Sequence, residues 1–176
     1  MCLIDSRTRR SLLLALCLAA LPGLATAGWK VGDALPELGA FQLEGKLPDK
    51  LRGQVLLVDF WASWCAPCKA SFPVMETLHQ QYGGRGLVVL AVNIDESSAA
   101  MEKFLKKSPV SFAVVRDAAH KLVAAADVAT MPTSFLVDRA GKVRFLHTGF
   151  RGAATRKEYE KEIDLLLKES AGATQP

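Results

Sequence analysis

The stretch WASWCAPCKASFP, residues 61–73, sets two cysteines two residues apart, with a tryptophan before the first and a proline between them. Directly upstream, VLLVDFW (55–61) is short, apolar and rich in β-formers, the pattern of a strand buried on both faces. Downstream of Pro67, Phe72, Met75, Leu78 and Tyr82 recur near helical spacing until Gly83-Gly84 ends the run, with Pro73 expected to kink the helix from inside. GLVVLAVNID (86–95) then reads as a second buried strand. Strand, helix and strand make a parallel crossover unit with the cysteines at its first joint, so the fold class is α/β.

The chain on either side fills out one domain. Ser97 or Ser98 is placed to cap a helix whose Met101, Phe104 and Leu105 share a face. SFAVV (111–115) reads as a strand and DAAHKLVAAAD (117–127) as a helix started by Asp117. TSFLVD and KVRFLH flank Arg139-Ala140-Gly141 as an antiparallel hairpin, with Gly141 supplying a positive φ. Thr155 and Glu158 have the spacing of a capping box for a last helix striped by Tyr159, Ile163, Leu166 and Leu167. Upstream of the first strand, GWKVGDALPELGAFQLEGK reads as an extended arm or hairpin.

Before that arm, Arg7, Arg9 and Arg10 precede the apolar run 11–25 and the small triplet Ala25-Thr26-Ala27, the layout of an export signal cut before Gly28. Retention as a membrane anchor is the alternative, although the run is shorter than the ~20 apolar residues a span needs and contains Pro22 and Gly23. The expected division is a signal at 1–27, a domain at 28–170 and a frayed tail at 171–176. Without the signal, 149 residues remain, one domain's worth. The net charge falls from +4 to +2, because three arginines and one aspartate leave. Acids and bases interleave, as in KEYEKEIDLLLKE, so no basic stripe invites nucleic acid.

Cys2 and Cys17 leave with the signal, so Cys65 and Cys68 are the only cysteines of the expected exported protein. One C-x-x-C is half of a structural zinc site, and His79, His120 and His147 are scattered without ligand spacing. No metal site is expected. A structural staple is a poor reading, since a disulfide closing two residues constrains almost nothing. Redox exchange remains. It needs an exposed thiolate and a second thiol near enough to resolve the mixed disulfide. At a helix N-terminus, Cys65 meets free N–H groups and the positive end of the dipole, while Cys68 lies one turn inward. Cys65 is expected to attack and Cys68 to resolve, with Trp64 and Pro67 shaping the rim, and no cofactor is needed beyond the Cys65–Cys68 disulfide itself. Trp61, Met75 and Met101 are read as core, and Lys69 and the histidines as solvated.

VDFWASWCAPCKASFP, VVLAVNID and TMPTSFLVDRAGKV resemble the thioredoxin superfamily over nearly all of residues 29–168. The export signal, the arm and the long segment between Asp95 and Met131 are similar to its TlpA/ResA-like periplasmic branch. The resemblance implies a thioredoxin-like fold: a central mixed sheet flanked by helices, an N-terminal arm or hairpin, and an inserted strand and helix. It implies that Pro132 is a cis-proline near the disulfide and that the backbone of Met131 pairs with an incoming substrate strand. It places Asp59 where thioredoxin has a buried acid that moves a proton at the inner cysteine. A lone carboxylate inside VLLVDFW is costly unless used or neutralised. Two departures stand out: Ser71 where ResA-like members carry a glutamate, and Ala91 where thioredoxin has a lysine.

The function implied is an exported thiol:disulfide oxidoreductase, acting as a monomer. The Ala-Pro dipeptide resembles reducing members, whereas strong oxidants put a histidine where Pro67 stands. An oxidising periplasm has no reducing buffer, so the resemblance implies electrons from a membrane thiol transporter of the DsbD or CcdA kind. Implied clients are apocytochrome c or copper-delivery proteins, although cytochrome-dedicated CcmG members carry an acid where this chain has Thr133. The alternatives are a disulfide-forming oxidant and a copper(I)-binding module. Peroxide reduction is disfavoured, because Val58 and Ala62 occupy the places of the peroxiredoxin proline and threonine.

Overall fold

The computed structural model describes residues 28–169, so the expected signal and the tail lie outside the described residues. Nine regular elements follow one another: β1 (Val55–Trp61), α1 (Ala66–Tyr82), β2 (Leu87–Asn93), α2 (Ser98–Lys107), β3 (Ala113–Arg116), α3 (Lys121–Ala126), β4 (Thr133–Val137), β5 (Val143–Thr148) and α4 (Ala153–Lys168). The sheet runs β3-β2-β1-β4-β5. β1 pairs in parallel with β2, and β2 with β3, while β4 and β5 run antiparallel. This is the mixed sheet expected, with the apolar run 55–61 at its centre and buried at every position.

The period-2 alternation of β1 divides the core. Val55, Leu57 and Trp61 face one layer with α1 and α4, and that layer also contains Cys65 and Cys68. Leu56, Val58 and Phe60 face the other, covered by Trp29 and Leu38 of the arm and Leu122 and Ala126 of α3. Asp59 falls in alternation with Leu57 and Trp61, on the cysteine side.

Several local expectations are corrected. Of the two forms expected upstream, the arm is the one present: it is tied by single bridges, Ala34 to Lys142 and Glu44 to Arg116, around a 3₁₀ turn at Leu38–Phe41, and makes no hairpin with itself. Ser97 holds the N-cap position of α2 without a side-chain cap bond. Asp117 does not begin α3. It precedes the helix, and its carboxylate accepts from the N–H groups of Lys121 (3.1 Å) and Val123 (2.8 Å). Thr155 and Glu158 form no capping box, because Gly152 is the N-cap of α4. Thr155 Oγ1 instead accepts the N–H of Arg151 at 2.9 Å, and Glu158 pairs with the Arg151 guanidinium. Pro73 lies inside α1, as expected. Gly141 does supply the expected positive φ, 82°, in the β4–β5 turn.

Candidate active site

β1 delivers Cys65 to the start of α1. Cys65 has extended backbone angles as the N-cap, and its Sγ accepts the N–H of Cys68 at 3.2 Å, one of the donors that a helix start leaves without a partner. Pro67 lies in the first turn, where its missing N–H costs nothing. Cys65 and Cys68 are joined as a disulfide. Cys68 is wholly enclosed, whereas Cys65 lines an open groove of about 490 Å³ with Trp64, Pro67, Ile94, Thr130 and Met131. Trp64 is 68% exposed, an unusual position for so large an apolar ring. The Met131–Pro132 bond is cis and leads into β4. Cys65, Trp64, Pro67 and Met131 thus converge at one rim, with buried Pro132 next in the chain.

The loop before Cys65 is fastened from the neighbouring strand. Asp95, just beyond β2, accepts the Ser63 N–H with both oxygens (3.0 and 3.2 Å) and the Asn93 amide at 3.1 Å. Arg116 Nη1 braces the same turn through the carbonyl oxygens of Asp95 and Glu96.

Asp59 is buried in the middle strand, opposite Ala91 on β2 and Ser134 on β4. Burial pushes its carboxyl up to about 7, against a hydrogen bond from Ser134 that pulls the other way. Ser134 Oγ donates to Asp59 Oδ1, and Tyr159 Oη, reaching in from α4, donates to Ser134 Oγ at 2.8 Å. Asp59 Oδ2 is buried with no hydrogen-bond partner among the described residues. The position across from Asp59 that could have held a lysine is the methyl group of Ala91. Ser71, where a glutamate was the alternative, is buried and turns its hydroxyl back onto the Cys68 carbonyl oxygen at 2.8 Å.

Sequence reasoning missed Ser134, Tyr159 and the Asp95–Asn93 pair. A polar residue inside the apolar run TSFLV was the available signal, since a buried serine beside a strand with a buried aspartate needs a partner. The reading of the histidines as solvated fails at two of them, the first being His79, which packs edge-on against Phe112 with its Nδ1 buried. His147 is not solvated: its ring is 13% exposed, packs edge-on to Tyr159 and bonds Glu162 at 2.6 Å.

The comparisons with known proteins agree with this geometry. Residues 30–163 match the family model described as Redoxin. The thiol-disulfide oxidoreductase ResA of Geobacillus thermodenitrificans is 35% identical, over 88% of this chain and 92% of its own. ResA of Geobacillus kaustophilus is 32% identical, over 76% of each chain. A solved structure from Chlorobium tepidum, named as a thiol:disulfide interchange protein DsbE, superposes with a TM-score of 0.73 at 40% identity, over 80% of this chain and 99% of that one. The chain belongs to the redoxin family, as a ResA-like thiol:disulfide oxidoreductase of the thioredoxin fold.

Proposed function

We propose that the protein is an exported reductant, which passes two electrons from the Cys65–Cys68 dithiol to disulfides of cysteine-containing client proteins. The observation that carries this direction is the groove around Cys65, whose lining residues, Val128, Ala129 and those named above, are all uncharged. A strongly oxidising pair needs a nucleophilic thiolate stabilised well beyond what a helix start supplies, because that stabilises its reduced form. Here the helix N-terminus and the Cys68 N–H act on Cys65 alone, and Pro67 stands where a cation would act.

In the forward direction the Cys65 thiolate attacks a client disulfide and displaces one client sulfur. Cys68 then attacks Cys65 Sγ, which releases the client's second sulfur and leaves the internal disulfide. Cys68 is enclosed, so its proton needs an internal acceptor, and Asp59 lies in the same buried layer on the cysteine side of β1. Trp64, Pro67 and Met131 offer an apolar bed for the client segment. The regenerating electrons come from a membrane thiol transporter of the DsbD or CcdA kind, and the clients are apocytochrome c or copper-delivery proteins in the periplasm, with the leader at 1–27 removed.

The test is the redox state of the pair in intact cells, trapped with acid and read by an alkylation mass shift, with and without the transporter. A largely reduced pair that becomes oxidised when the transporter is lost is the expected result. A pair oxidised in both strains would sink the reductant reading in favour of a disulfide-forming oxidant.

A further inference from the structure

Three hydroxyl and carboxyl groups from three elements form one hydrogen-bonded chain, and Tyr159 at its head belongs to the core layer that holds the disulfide: Tyr159 on α4, Ser134 on β4 and Asp59 on β1. The direction of donation is set at each step. Tyr159 Oη donates to Ser134 Oγ, and Ser134 Oγ donates to Asp59 Oδ1. Both hydroxyls are therefore committed toward the carboxylate, and Oδ2 is left buried and unpartnered. A bare buried carboxylate oxygen costs stability, and nothing in the packing of the sheet demands an aspartate opposite Ala91. Tyr159 remains a donor throughout the working range, because burial, followed by the charge of Asp59, pushes its hydroxyl well above the usual tyrosine value.

We propose that Ser134 and Tyr159 are positioning residues: their hydroxyl chain holds one oxygen of Asp59, reserves the other for the proton of Cys68, and sets the pH at which Asp59 becomes able to take it. The inference rests on the reading of Asp59 as proton acceptor and extends it to the two residues that prepare it. In the mixed disulfide, ionised Asp59 takes the proton of the Cys68 thiol. The Cys68 sulfur then forms the bond to Cys65 Sγ as the Cys65–client bond breaks, and the departing client thiolate takes a proton from solvent. Asp59 is left protonated until it releases that proton.

The two hydroxyl bonds favour the ionised form of Asp59 and oppose its burial. Losing them moves its titration upward. α1 contributes Cys65 and Cys68, β2 contributes uncharged Ala91, and Glu158 and Glu162 act on Tyr159 from its own helix. From β5, His147 packs on the Tyr159 ring and pairs with Glu162, so its ring signals must be followed separately.

The experiment uses the oxidised protein first, in which the cysteines do not titrate, and follows the Asp59 carboxyl carbon by NMR against pH. Ser134→Ala is expected to raise the midpoint by on the order of one unit, the size of a lost hydrogen bond to a charged group. Tyr159→Phe moves it the same way by less, and Ser134→Thr restores the wild-type value. In the reduced protein, the pH–rate inflection for reduction of a disulfide-bonded peptide should move with the carboxyl midpoint. Tyr159→Phe keeps the ring in place, so it carries the test alone if Ser134→Ala does not fold. If Asp59→Asn abolishes the inflection while Ser134→Ala and Tyr159→Phe titrate as wild type, the hydroxyl chain is overturned and the acid's role survives. If Asp59→Asn keeps the wild-type inflection, both readings fall.

Discussion

Asp59 on β1 and Asp95 just beyond the end of neighbouring β2 are two buried carboxylates, 1% and 2% exposed, and their surroundings differ in kind. Asp95 spends both oxygens on donors: the Ser63 N–H reaches each of them and the Asn93 amide reaches one. Asp59 receives one hydroxyl and keeps a bare oxygen. A carboxylate saturated with donors is a fastener, which fixes the loop that presents Cys65. A carboxylate given one donor in a dry layer is kept near the balance between its two protonation states, where a proton acceptor for a buried thiol has to be. On the proposed reading of Asp59 as proton acceptor for Cys68, the count of donors, and not burial, separates the reactive acid from the structural one.

The largest expected effect tests that balance through stability. Asp59 titrates at about 7 in the folded oxidised protein against an ordinary value of 3.8. Between those values the folded chain retains a proton that the unfolded chain has lost, so the contribution of Asp59 to stability falls as pH rises from about 4 to 7 and is flat above. The difference in unfolding free energy between Asp59→Asn and wild type should therefore shift in favour of Asn by up to about 3 kcal/mol between pH 4.5 and 8. Denaturant unfolding at the two pH values measures it. Parallel curves would show that Asp59 is not held near its balance point.

Next in size is the rate. Asp59→Asn should slow peptide-disulfide reduction at pH 7 by about 100-fold, the lower end of what a placed acid or base supplies, while shifting the equilibrium with glutathione less. Equal stopped-flow rates for the two proteins across pH 6 to 8 would contradict its assignment.

Much of this architecture was legible because it rests on patterns with a single physical solution. An apolar seven-residue run, VLLVDFW, has to be enclosed, and a C-x-x-C at its end has to open a helix when apolar residues then recur at helical spacing. The expected helix starts were less legible. Capping depends on where the chain enters the helix, which side-chain type alone does not specify: Ser97 stands at a cap and forms no cap bond, and Thr155 serves the N–H of Arg151 from inside α4. The hydroxyl chain was illegible for another reason. Its members are 75 and 25 residues apart, joined only by the register of β1 with β4 and the docking of α4. In the sequence Tyr159 reads as an apolar stripe residue, which it also is, and His147 reads as solvated because nothing local announces that Tyr159 and Glu162 will cover it.

The fastener side of the comparison predicts smaller effects of opposite sign. Asp95→Ala leaves the Ser63 N–H and the Asn93 amide without their acceptor and should destabilise the protein at pH 7 by about 2 kcal/mol, the usual cost of orphaned buried donors. Asp59→Asn should not destabilise it at that pH, so the two variants separate in a single denaturant titration.

The smallest effect concerns the brace behind the fastener. Arg116 Nη1 donates to the carbonyl oxygens of Asp95 (3.1 Å) and Glu96 (2.9 Å), and its guanidinium pairs with Glu44 of the arm at 2.8 Å. Glu44 is half exposed, so that ion pair is worth little, and the carbonyl bonds dominate. Arg116→Met preserves the stem's packing and removes the donors, and should cost about 1 kcal/mol. Because Arg116 acts on Asp95 through its backbone and not its carboxylate, the Asp95→Ala and Arg116→Met losses should add to within about 0.5 kcal/mol. A larger coupling energy in the double-mutant cycle would mean that the carboxylate and the brace hold the Ser63 loop as one unit, and that the fastener extends from β2 to the arm.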